Sequence, residues 1–153
     1  MVNNDALQSA GYRIGTDIGE TDIHTIHQYL SVESYWAKNI PLELVKKSID
    51  NSLAFAVHKD NDLVGFARVV TDKATFAYLA DVFILEQHRG KGLSKWMLQN
   101  IHAHPDLQGL RRWLLGTKDA HELYKQFGWE VLPEAIVSRF MQLHNPDVYM
   151  LNA

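Results

Sequence analysis

The chain has 153 residues, with 15 Lys plus Arg against 18 Asp plus Glu, eight His and no Cys. A length of this order suits one domain, residues 1–153, and the 46% hydrophobic and 22% charged fractions exclude a disordered chain. Zero Cys excludes a disulfide framework, zinc ribbons, Fe–S clusters and a cysteine nucleophile, and a net charge of −3 argues against a nucleic-acid binder.

In chain order, residues 12–16 read as a first short strand. Thr21-Asp22 opens a helix with Ile23, Ile26, Tyr29 and Leu30 on one face. Residues 31–40, aromatic and polar, read as a loop, and Pro41 suits the first turn of a second helix carrying Leu42, Val45 and Ile49. Residues 53–59 alternate, Asp60-Asn61-Asp62 turns the chain, and residues 63–71 continue as the second arm of an antiparallel hairpin. Residues 75–85 form a longer strand. From Leu93 the pattern is helical, with Leu93, Trp96, Met97 and Ile101 on one stripe ending near His104-Pro105. Residues 113–115 are a short apolar strand of the kind found at a sheet centre. Residues 119–127 are helical, with Gly128 as the stop, and residues 131–132 and 139–143 read as a closing strand pair. The expected architecture is α/β (α+β): a mixed central sheet of about seven strands, by this count of segments, with helices on both faces.

No apolar run in residues 1–20 has signal-peptide length, and no stretch approaches a membrane span, so a soluble cytoplasmic protein with no membrane partner is expected. His24 and His27 are one helical turn apart but lack a third ligand, so no metal is expected there. His121-Glu122 begins like a zincin helix, but Lys125 stands where the second His is required.

The most informative segment is Gln87-His88-Arg89-Gly90-Lys91-Gly92-Leu93-Ser94. A strand ends, two Gly bracket a cation, and an amphipathic helix begins. Free N–H groups and the dipole at a helix N-terminus favour an anion, and Gly lets phosphate approach the backbone. Arg89 and Lys91 add positive charge and the Ser94 hydroxyl adds a donor. A Walker A motif fails because Lys91 is followed by Gly92, and the dinucleotide fingerprint fails because residue 95 is Lys. A pattern Q/R-x-x-G-x-G/A fits. Downstream, Ala120, Leu123-Tyr124 and Gly128-Trp129 follow a strand and a polar residue. Together the two segments resemble the signatures of the GNAT superfamily of N-acetyltransferases, and the order of elements over residues 12–144 is similar to that superfamily's.

The resemblance implies an acyl-CoA N-acyltransferase fold and acetyl-CoA as cofactor. It places the cofactor along the strand at Val82, Phe83 and Ile84, on Arg89, Gly90, Lys91, Gly92, Leu93 and Ser94, and near Thr117 and Tyr124. It implies that a backbone N–H, that of Val82, polarises the thioester carbonyl and that Tyr124 protonates the leaving thiolate. Thr117 stands where Asn is common, and the frequent Glu base has no counterpart; its position falls at Tyr78. Asp81 is the acidic residue near it and the candidate base, with Glu33 or a water chain as alternatives. The loop carrying Glu33, Tyr35 and Trp36 is expected to cover an amine acceptor, either a small molecule or a peptide. Arg111, Arg112 and Lys118 form a basic patch that would suit an adenosine phosphate. The resemblance also admits a homodimer. Two rival readings remain: a non-catalytic acyl-CoA-binding or regulatory module on the same fold, and a nucleotide-binding protein using the Gly-rich turn.

Overall fold

A computed structural model describes residues 2–150. The hairpin pattern read from the sequence folds as β2 (Leu53–Lys59) and β3 (Asp62–Thr71), paired antiparallel. β1 (Tyr12–Gly15) adds to the outer side of β2, and β4 (Phe76–Ile84) to the far side of β3, both antiparallel. β5 (Arg112–Leu115) joins β4 in parallel, giving the order β1-β2-β3-β4-β5. The parallel pair needs a crossover, and α4 (Leu93–Ala103) supplies it.

Ala54 to His58 are buried without a break, so both faces of β2 are covered. α2 (Glu20–Gln28) and the π-helical turn Tyr29–Glu33 take one face, where Tyr29 stacks on Phe83 with centroids 4.0 Å apart. Buried His58 meets Asp22 of α2 at 3.1 Å. α4 takes the other face, burying Leu93, Trp96, Met97, Leu98 and Ile101. α3 (Leu42–Asp50) packs beside α2 through Val45. The chain thus has the mixed α/β fold expected, a central sheet with flanking helices.

Several elements differ from the sequence reading. α1 (Asn4–Ser9) was not foreseen; the Asn3 side chain caps it by accepting the Ala6 N–H at 3.0 Å. The first part of the expected loop at residues 31–40 continues α2 as the π turn, in which the Ser34 N–H donates to Tyr29 O. Residues 113–115 lie in the last strand of the sheet order, half-buried, not at its centre. The sheet has five strands among the described residues, where about seven were expected.

Residues up to Gly116 form one compact unit and residues from Thr117 onward a second, shorter one. The second unit holds α5 (His121–Lys125), stopped at Gly128 with φ +87°, and α6 (Glu134–Val137). The expected closing strands at residues 131–132 and 139–143 are absent. Pro133 and Glu134 start a helical turn, and the N–H groups of Arg139 and Phe140 donate to Ile136 O and Val137 O, so local bonds replace a ladder. Among the described residues, no helix is long and apolar enough to cross a membrane.

Candidate functional site

β4 has two halves. Phe76 to Leu79 pair with β5, the last pair being Leu79 with Leu115. β4 then runs on to Ile84 while β5 ends, so among the described residues its outer edge has no strand partner beyond Leu79. At that point the strand also departs from regular pairing with β3. Phe66 faces Phe83 and Arg68 faces Ala80, so Asp81 and Val82 together oppose Ala67 alone. This is a β-bulge, and Asp81 adopts a left-handed φ of +55° within it.

Asp81 does not stand alone. Its Oδ2 accepts from Arg68 Nε at 2.9 Å, and its Oδ1 accepts from Trp36 Nε1 at 2.8 Å. Arg68 also donates through a terminal nitrogen to Ser52 Oγ at 3.1 Å. Trp36 makes an edge contact with Tyr35, centroids 5.0 Å apart, and both rings remain substantially exposed. The structure therefore brings Trp36 to Asp81 and Tyr35 against Trp36, while Glu33 lies exposed at the end of the π turn.

From Ile84 the chain enters the Gly-rich turn. Leu85 N–H donates to Val64 O at 2.8 Å, and Tyr12 Oη lies 2.8 Å from His88 Nδ1. Arg89 folds back: its Nε donates to Ile84 O at 2.9 Å and a terminal nitrogen reaches Tyr29 Oη at 3.3 Å. Lys91 is exposed between Gly90 and Gly92, whose φ values are +78° and +83°. Nothing lies within 4 Å of a Cβ built on Gly90. Gly92 caps α4, whose first helical bond runs from Trp96 N–H to Gly92 O. The N–H groups of Leu93, Ser94 and Lys95 precede that bond, which leaves them suited to an anion. The side chains of Phe83, Ile84 and Leu93 are buried, so these residues offer only backbone to a ligand.

In the second unit, Thr117 Oγ1 accepts the Ala120 N–H at 3.1 Å, at the start of α5. Tyr124 is buried within α5, and its ring lies 5.9 Å from that of Trp129. Its carbonyl accepts the N–H groups of Phe127 and Trp129 as the helix closes.

A model of the acetyltransferase (GNAT) domain matches residues 50–131, which include β4, the Gly-rich turn and α5. The chain belongs to the GNAT acetyltransferase family. A candidate acetyltransferase of Gibberella zeae is 30% identical over 135 residues, 74% of this chain and 75% of that protein. A crystal structure of a candidate GNAT-family acetyltransferase from Xanthomonas campestris pv. campestris is 48% identical. It matches with a TM-score of 0.85 over 90% of this chain and 96% of that one. A GNAT family acetyltransferase from Elizabethkingia anophelis, with acetyl-CoA bound, shares the fold at 13% identity and a TM-score of 0.60. That match covers 80% of this chain and 78% of that one.

The residues missed from the sequence of this GNAT chain are Arg68, Ser52 and Tyr29. Arg68 carried a usable signal, since it interrupts the apolar run from Leu63 to Val70, and a charge in a buried strand requires a partner. Among the described residues, no group of three or more His, Cys, Asp or Glu is placed to hold a metal ion.

Proposed function

We propose that this GNAT domain transfers acetyl from acetyl-CoA to a primary amine by direct attack. The observation that carries this reading is the continuity of three features in one unit: the open edge of β4 beyond Leu79, the turn at Gly90-Lys91-Gly92, and the N-terminus of α4. When bound, acetyl-CoA supplies the activated acetyl group. The backbone N–H groups at the start of α4 and the Lys91 ammonium hold its pyrophosphate, with the Ser94 hydroxyl as a further donor. The space above Gly90 fits a phosphate approaching the backbone. The open edge of residues 82–84 holds the pantetheine arm through main-chain bonds. The Val82 N–H stabilises the negative charge that develops on the thioester oxygen.

Tyr124 donates its phenolic proton to the departing thiolate. Trp36, bonded to Asp81, and Tyr35, packed against Trp36, are both exposed and form the acceptor end. Aromatic faces with a nearby carboxylate suit a protonated amine, which sheds one proton to solvent before attack and a second, as the amide forms, through a water chain at this end. The absence of Cys removes a cysteinyl-acyl intermediate, which leaves direct transfer.

The test is CoA release from acetyl-CoA across a panel of polyamines, amino acids, aminoglycosides and lysine peptides, with Tyr124→Phe beside the wild type. The variant is expected to lose about 10²–10³ in kcat, with its Kd for CoA within about threefold. An unchanged kcat removes Tyr124 from the mechanism. CoA binding without turnover on any amine would leave a binding module.

A further inference from the structure

The geometry points to Arg68 as a positioning residue: it clamps Asp81 in the left-handed bulge of β4 and so sets the direction of the Val82 N–H. This inference rests on the proposed reading of the β4 edge as the acyl-CoA site. It gives Asp81 a role different from that of a general base.

Four observations meet at this point. The bulge sets Asp81 and Val82 against Ala67 alone, so the regular alternation of N–H directions along β4 breaks there. A bulge that starts on a left-handed residue usually has Gly in that place, because a Cβ disfavours the conformation. Here the residue is Asp, at φ +55°. Both of its carboxylate oxygens are held, Oδ2 by Arg68 at 2.9 Å and Oδ1 by Trp36 at 2.8 Å, and Arg68 is itself fixed by Ser52 at 3.1 Å.

A side chain gripped at both oxygens steadies its backbone in a conformation that a Cβ disfavours. On this proposal the extra residue turns the N–H of Val82 from the β3 ladder toward the outer edge, where a thioester oxygen would lie. Arg68 extends from β3 and Trp36 from the segment after the π turn. The clamp therefore ties the acceptor-side aromatic and the oxyanion donor to one carboxylate. Each carboxylate oxygen keeps a further lone pair, so the grip is compatible with either role and the variants below separate a clamp from a base.

The test uses three variants of the full chain: Asp81→Ala, Arg68→Met, and the double variant Arg68→Met/Asp81→Gly. Ala keeps the Cβ and loses the grip, so kcat is expected to fall about 100-fold, the order of loss that a misplaced donor produces. Arg68→Met is expected to lose at least tenfold. In the double variant Gly adopts the bulge without a clamp, so kcat is expected to recover to at least ten times that of Asp81→Ala. Amide hydrogen exchange on the free proteins is the readout that does not depend on turnover. Residues 80–83 are expected to exchange at least tenfold faster in both single variants and to regain protection in the double variant. A double variant as slow as Asp81→Ala, with the acid limb of its kcat/KM profile gone, would assign proton abstraction to Asp81 and overturn the clamp. Unchanged exchange in Asp81→Ala and Arg68→Met would overturn it as well. Failure of the wild type to turn over any amine would refute the proposed function instead, and the exchange data would still decide the clamp.

Discussion

Gly90→Ala separates what the turn needs for its own conformation from what a phosphate needs of it. Gly90 has φ +78°, and a Cβ built there meets nothing within 4 Å. The cost to the free protein is then conformational alone, about 1–2 kcal/mol for an L-residue in the left-handed region. For a domain of this size that lowers Tm by about 2–8 °C. Binding should suffer more. A phosphate oxygen accepting a backbone N–H sits at about 2.9 Å from nitrogen, and a methyl group in that space pushes it away. Loss of one or two charge-assisted bonds, at about 1.5–3 kcal/mol each, weakens CoA binding at least tenfold. Gly90→Asn sharpens the comparison, because Asn tolerates the left-handed region yet carries the same Cβ. It should cost little in Tm and still weaken CoA. Thermal unfolding and calorimetric titration with CoA at 0.15 M salt measure both quantities. Kd values within threefold of wild type in the two variants would refute the placement of phosphate over Gly90.

Three further outcomes follow from the same geometry. Arg89→Ala should lower stability by about 1–2 kcal/mol, because it strips Ile84 O and Tyr29 Oη of a donor, while Lys91→Ala should leave Tm unchanged and flatten the salt dependence of CoA affinity. The Asp72 carboxylate accepts from the Thr75 hydroxyl and from the N–H groups of Thr75, Ala74 and Phe76, which holds its pKa far below the usual carboxylate range. Its contribution to stability is present above the ordinary Asp value and is lost only as pH falls through the lower folded value; a carboxyl NMR titration in the normal range would contradict this. Burial pushes the His102 imidazole below its ordinary value, so the unfolded chain takes up the proton first as pH falls. Stability from this group is complete above about pH 6.5 and declines below it, and His102→Phe should reduce the acid slope of urea-unfolding free energies between pH 7 and 5.

The sheet's first four strands and α4 were legible because their signals are local. Alternation at Leu53, Phe55 and Val57, the turn at Asp60-Asn61-Asp62 and the stripe through Leu93, Trp96, Met97 and Ile101 each specify an element without help from the rest. The Gly-rich turn was legible for the same reason. The closing strands were not, because an alternating segment becomes a strand only beside a free ladder edge. Arg139 and Phe140 are taken up by local helical bonds, and Met141 and Leu143 remain fully exposed. The π turn at Tyr29–Glu33 has no distinctive composition, and it decides where Trp36 falls. Asp81 was visible as an acid on a strand, but its role depends on partners 13 and 45 residues away in sequence.

The Arg89–Lys91 pair shows how a motif divides its labour once folded. In the sequence both cations flank the first Gly and are equal candidates for a phosphate. In the structure Arg89 is spent on the end of β4 and on Tyr29, while Lys91 stays exposed. Tyr29 in turn stacks on Phe83, in the half of β4 that pairs with β3 but runs past the last pair with β5. Arg89 therefore couples the start of the turn to the strand edge and to the helix that leads toward Trp36. The features assigned to pyrophosphate, pantetheine and acceptor are thus held in register by one guanidinium and one aromatic pair. A cation that anchors a loop in this way contributes to ligand binding mainly by fixing the loop's N–H groups before the ligand arrives, which lowers the ordering cost of binding.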